Sequence, residues 1–197
     1  MKKVLENRRE FCYNEMMALR ERIAYTQSEA DKYRQIISYA IKCGADAKGI
    51  HKTKLAKEVC LADFIWFYEN NIPMSGMVYV KREYGPVADA FFRIIEEMED
   101  EGIVRCERIE NKDGKVSMLY SLSNKELNLN KLNDQEKTLI EQIGETWKGE
   151  YPNKIIEFTH NQLPYKICRD GEVIPYSLIT QEEPSNVYGP MQLHRCV

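Results

Sequence analysis

The chain has 197 residues, enough for one substantial core and too few for two comfortable domains. Hydrophobic residues make up 43% and charged residues 30%, ordinary for a globular protein in water, and the formal net charge of −3 gives no general pull towards nucleic acid. No window approaches the apolar length of a membrane span, and Met1-Lys2-Lys3-Val4-Leu5-Glu6 becomes charged too early for a secretion signal, so no membrane association is expected.

Residues 1–42 read as helical. Cys12, Met16, Leu19, Ile23, Thr26, Ala30, Tyr33, Ile37 and Ala40 alternate four and three positions apart, an a/d seam. The seam weakens at Thr26 and Ala30, where Thr26-Gln27-Ser28 can cap a second helix starting near Glu29. Two arrangements fit: a long helix that pairs with a copy of itself, giving a homodimer, or an arm at 1–29 joined to a domain helix. Gly44 to Gly49 is a polar loop. A helix from Lys52 to Asn70 follows, apolar on too many sides for one stripe and therefore central. Lys52, Lys54 and Lys57 at its start oppose the helix dipole; they read as solubilising charges or as a site for an acidic partner.

Met77-Val78-Tyr79-Val80 has the composition of a short extended segment. Glu83-Tyr84-Gly85-Pro86-Val87 then changes the chain's direction, with Gly85 as the hinge and Pro86 fitting the first position of a helix expected from Ala88 to Glu101. The corner reads either as a buried structural element or as a contact site. Gly102 stands where a left-handed helix cap belongs. The acidic end of that helix, Glu96 to Glu101, is a solvated face or the place to meet a basic partner. Val104 to Ile109 and Val116 to Leu122 flank Asn111-Lys112-Asp113-Gly114, a hairpin with turn chemistry. Helix, hairpin and helix in this order outline a winged helix.

Asn133-Asp134-Gln135-Glu136 is a capping box opening a helix with Leu139, Ile140, Ile143 and Trp147 on its apolar face. A short helix from Lys154 to about Gln162 carries Thr159-His160 near its end, and Val173 to Ile179 is an apolar closing segment. From Thr180 onward the sequence is polar and aperiodic, which predicts a loosely ordered tail at 180–197. The fold class that follows is mainly α with one small β-hairpin (α+β).

The chemistry-bearing residues are sparse. Six cysteines (Cys12, Cys43, Cys60, Cys106, Cys168, Cys196) include no Cys-x-x-Cys pair and read as reduced thiols in a cytoplasmic protein. His51, His160 and His194 are far apart, so no metal is expected, and no Gly-rich phosphate loop implies a nucleotide or other cofactor. Cys168 with His160 supports no catalytic motif; His160 reads as a core histidine, and no enzyme activity is expected. Arg105, Arg108, Lys112 and Lys115 on the hairpin alternate with Glu107, Glu110 and Asp113, which leaves no basic face for phosphates and makes nucleic acid an unfavoured partner.

Lys54-Leu55 opening the central helix, Tyr84-Gly85-Pro86-Val87, the helix–hairpin unit, Thr159-His160 and the ending Gly171-Glu172-Val173-Ile174-Pro175-Tyr176 occur in an order that resembles the Panacea domain, the SocA-like antitoxin family of bacteria and their phages. The resemblance covers about residues 30–179. One departure is Tyr165 after Pro164, where a tryptophan is expected. The resemblance implies a protein-binding antitoxin that neutralises a toxin by direct contact or, like the founding member, delivers it to a AAA+ protease; it carries no catalytic residues across. Met16, Leu19 and Ile23 in the arm, with Tyr84, Gly85, Pro86, Val87, Thr159 and His160 in the domain, are the expected partner-binding residues. A winged-helix DNA-binding regulator and a phage-borne counter-defence binding protein are the alternatives.

Overall fold

A computed structural model of the chain describes residues 25–110, 114, 116–123 and 126–191. The first half of the seam, with Met16, Leu19 and Ile23, lies outside the described residues, as do Asn111 to Asp113 of the hairpin turn.

Helix α1 (Gln27–Gly44) begins where the cap chemistry places it. The Thr26 hydroxyl accepts from the Glu29 N–H at 3.2 Å, and the Glu29 carboxylate accepts from the Thr26 N–H at 2.6 Å. The second half of the seam is buried in this helix, with Ala30, Tyr33, Ile37 and Ala40 facing the core. A tight loop leads to β1 (Ile50–His51) and then α2 (Lys52–Asn70). Helix α2 is buried on nearly every side, as its unstriped apolar sequence requires, and closes with Asn71 in the left-handed conformation at φ 57°. Two of its first lysines are not surface charges. Lys54 is 6% exposed and Lys57 2% exposed, because the start of α2 is roofed by the segments described next.

The loop after α2 is tied down by Asp63. Its carboxylate accepts from the Ser75 N–H at 2.7 Å, from the Ser75 hydroxyl, and from the Tyr79 hydroxyl at 2.7 Å. Strands β2 (Tyr79–Arg82) and β3 (Gly85–Ala88) form a short hairpin. Pro86 is thus in a strand, not at a helix start, and helix α3 (Phe91–Asp100) begins later than the proline suggested. The same fixed φ suits both positions, and β3 is the edge of its sheet, where a missing N–H leaves no ladder bond unmade. Gly102 caps α3 at φ 66° as expected. The acidic end of α3 meets its basic partner inside the molecule: Arg34 of α1 pairs with Glu97 at 3.6 Å and with Glu101.

Strands β4 (Val104–Glu110) and β5 (Val116–Leu122) pair from Val104↔Leu122 to Glu110↔Val116. Helix α4 (Asp134–Trp147) starts on the Asn133–Glu136 capping box and packs against α1, with Gly144 against Cys43 and Gly44. Helices α5 (Pro152–Asn161) and α6 (Leu163–Ile167) follow, then β6 (Val173–Ile174), a 3₁₀ turn over Tyr176–Gln181, and α7 (Pro184–Tyr188).

The chain is an α+β protein, and its described residues form two antiparallel three-stranded sheets, ordered β1-β5-β4 and β3-β2-β6, rather than one hairpin. The added strands are two to four residues long, too short to show alternation in the sequence. Nor is the tail loose as far as Met191. Val187 is fully buried, Gly189 packs against the Phe158 ring, and Tyr188 meets Tyr68 edge to face at 5.9 Å. A few apolar anchors hold it where composition alone predicted none. No helix among the described residues is long and apolar enough to cross a membrane.

Candidate functional site

The β2–β3 corner, the start of α2 and the α5–α6 junction meet at one place. Gly85 makes the meeting possible. Its φ is +98°, and a Cβ there would lie 2.8 Å from Lys57 Cε, 3.1 Å from Lys57 Nζ and 3.2 Å from His160 Cδ2. Under it, Lys57 Nζ donates to the Pro86 carbonyl at 2.6 Å. Burial lowers the Lys57 pKa to about 8, with Cys60 opposing the shift.

Around this contact stands a short stack. The His160 ring, at the end of α5, lies flat on the Tyr165 ring of α6, centroids 4.0 Å apart and planes 5° from parallel. Lys81 of β2 sits 4.1 Å from the Tyr165 centroid and donates to the carbonyls of Tyr165 at 2.9 Å and Cys168 at 3.0 Å. It thereby closes the carbonyl end of α6. The Tyr165 hydroxyl reaches the Glu83 carbonyl at 3.4 Å. Burial, followed by the fields of Lys57 and Lys81, lowers the pKa of His160 and so disfavours its protonated form. Its Nε2 is buried and makes no hydrogen bond.

The expected partner-binding residues divide. Gly85 and Pro86 are brought to His160 through Lys57, over a long stretch of sequence. Pro86 and Val87 are buried and build the floor. Thr159 is fully buried, and its hydroxyl is spent on the Ile156 carbonyl of its own helix at 3.0 Å, so it offers nothing to a partner. Tyr84 is the opposite: 56% exposed, at the tip of the turn. Lys57, read in the sequence as a solubilising charge or part of a site for an acidic partner, and Lys81 and Tyr165, not read as site residues, are members of this corner. A lysine between Leu55 and Val59, inside an otherwise apolar helix, was the available signal for the first. Tyr165, at the position where a tryptophan was expected, takes part through its ring.

Cys168 and His160 do not form a reactive pair. The thiol is directed to the Val173 carbonyl at 3.8 Å, while the imidazole is stacked on Tyr165. Among the described residues no cluster of His, Cys, Asp and Glu could hold a metal ion. A groove of about 620 Å³ runs between α1, the end of α3 and the 126–131 connector. Its polar lining is largely satisfied from within: Lys131 pairs with Asp31 at 3.6 Å, and Gln35 bonds both Asn130 and the Lys131 N–H. On the hairpin, Arg105 and Arg108 are exposed beside exposed Glu107 and Glu110, so no strand face is purely basic.

Comparison with curated proteins and with solved structures found no match. A protein-family model, described as "Antitoxin SocA-like, Panacea domain", matches residues 55–165, more than half of the chain. The matched span runs from the start of α2 to Tyr165 and so contains Lys57, the β2–β3 corner, the hairpin and the His160–Tyr165 stack. With the family matched across the elements that build this corner, the chain belongs to the SocA-like antitoxin, Panacea domain family.

Proposed function

We propose that this protein is a non-catalytic antitoxin that binds a cognate protein toxin by direct contact, using the face formed by Tyr84, Lys81, His160 and Tyr165. Family membership supplies the antitoxin role. The observation that carries the choice of face is Tyr84. It is a large aromatic ring, 56% exposed, on a turn fixed from beneath by the Lys57–Pro86 bond and from the side by Tyr165. A rigid, exposed aromatic anchor loses little entropy on binding and is the kind of residue on which interface energy concentrates. Delivery of the bound toxin to a AAA+ protease is a second step the same contact could serve. The arm at 1–29, outside the matched span, is the natural element for choosing among toxins; its seam would also serve a homodimer. The work would take place in the cytoplasm.

The test is growth protection. The reading frame adjacent to this gene is expressed with and without this protein; the expected result is toxicity relieved by co-expression, with the two proteins co-purifying. Tyr84→Arg should lose protection while keeping the melting temperature. A neighbouring product that is harmless, or toxicity that co-expression leaves unchanged, would overturn the reading.

A second reading has one observation in its favour. The order α1, β1, α2, α3, β4, β5, with β1 added to the hairpin's edge, is compatible with a winged-helix outline into which β2–β3 would be inserted. A DNA-binding regulator on this plan would lose affinity steeply with salt, and would lose it again on replacing Arg105 and Arg108. The alternation of those arginines with glutamates argues for the protein partner.

A further inference from the structure

Among the described residues the corner gathers two ammonium groups and an imidazole with no carboxylate in ion-pair contact with them. Lys57 enters from α2 with one proton engaged on the Pro86 carbonyl. Lys81 enters from β2 with two protons engaged on carbonyls. Among the described residues neither lysine has a carboxylate in ion-pair contact. The acids nearby, Glu83 and Asp170, act on the Tyr165 hydroxyl. Buried cations are ordinarily paired, since the low-dielectric interior penalises an uncompensated charge. Carbonyl dipoles offset part of that penalty here and no full negative charge offsets the rest. The rim is exposed: Tyr84 stands beside the corner, and Lys81, His160 and Tyr165 are only half-buried.

Resting on the protein-binding reading above, we propose that this corner is a receptor for one carboxylate of the partner protein, entering beside Tyr84 to contact Lys81 and the His160 ring. Charge complementarity selects the occupant. An acid placed there offsets the fields of Lys57 and Lys81 that oppose protonation of His160, so the imidazole gains affinity for a proton as the acid binds. The groups facing His160 are Lys57 from α2, Lys81 from β2 and the Tyr165 ring from α6. None of these three groups carries a negative charge, and Glu83 and Asp170 act on the Tyr165 hydroxyl, which leaves the place beside Lys81 and His160 to a carboxylate of the partner. The carboxylate can come from an Asp or Glu side chain or from a chain terminus.

The full chain with labelled histidine is titrated by NMR with three probes at matched ionic strength: N-acetylglutamate N-methylamide, N-acetylglycine, and N-acetylglutamine N-methylamide. The first represents a side chain, the second a terminus, and the third is neutral. The expected result is a saturable shift of the His160 ring resonances with one or both acids and none with the amide, a His160 pKa raised by about one unit in the complex, and affinity weakened about fivefold in Lys81→Met. Absence of a saturable shift with both acids, or the same shift with the neutral amide, overturns the proposal. Protection assays separate the two claims. If Tyr84→Arg abolishes protection while Lys81→Met and His160→Gln retain it, the binding face stands and the carboxylate receptor falls. If all three retain protection, both fall.

Discussion

Glu58 lies where α1, α2 and α4 converge, 1% exposed, with neither carboxylate oxygen hydrogen-bonded. It faces the end of α1, so close to Gly44 that any side chain there would collide with it. Burial raises its pKa from 4.5 to about 8, with Lys54 opposing the shift. The folded protein therefore holds a proton that the unfolded chain has released. For an acid whose folded pKa is raised, the stabilising contribution is complete below 4.5, is lost steadily as pH rises towards about 8, and is absent above that. At 1.36 kcal/mol per pH unit, the loss from this one group between pH 5 and pH 8 is roughly 3 kcal/mol. Glu58→Gln keeps the shape and removes the titration. Urea unfolding of both proteins at pH 5, 6, 7 and 8 gives two stability curves, and their difference isolates Glu58 from Asp63, Lys57 and His160, which titrate in both. The variant should gain on the parent by roughly 3 kcal/mol over that range. Parallel curves would refute the argument, because they would mean that Glu58 is ionised in the folded protein at every pH used.

Gly85→Ala places a Cβ 2.8 Å from Lys57 Cε on a backbone with φ +98°, and should cost about 1–3 kcal/mol, read as a lowered melting temperature; an unchanged melting temperature would show that the corner yields. Asp63→Asn removes an acceptor serving the Ser75 N–H, the Ser75 hydroxyl and the Tyr79 hydroxyl in a site with no exposure. A loss of about 2–3 kcal/mol in urea is expected, and a loss well under 1 would show the network to be dispensable. Val187→Ala should cost about 1–3 kcal/mol if α7 is docked as described, whereas a near-zero effect would return residues 180–191 to the status of a loose tail.

The helix starts at Thr26 and Asn133 were legible because a capping box is a contact between residues three apart. The bounds of α2, the glycine cap at Gly102 and the 104–122 hairpin were legible for the same reason: periodicity and turn chemistry are local. Tyr-Gly-Pro-Val and Thr-His likewise pointed to the family, and the structure brings Gly85 and His160 to one corner, with Thr159 on its inside. Local reasoning failed where one local preference fits two structures. The fixed φ of Pro86 serves a helix start or an edge strand equally, and only pairing with Lys81 across the hairpin chooses the strand. Lys54 and Lys57 look solvated by composition; only long-range packing buries them, with β3 and α5 lying over Lys57. The tail's docking depends on Tyr188 finding Tyr68 and Gly189 finding Phe158, which no spacing encodes.

The sequence by itself determined α1, α2, α4 and the 104–122 hairpin, since each rests on neighbours within a turn or two of chain, and the order of its short motifs pointed to the family. Tertiary structure alone decided that Lys57, Lys81, His160 and Tyr165 share one corner, because burial and long-range packing set which side chains meet and which charges lose their water.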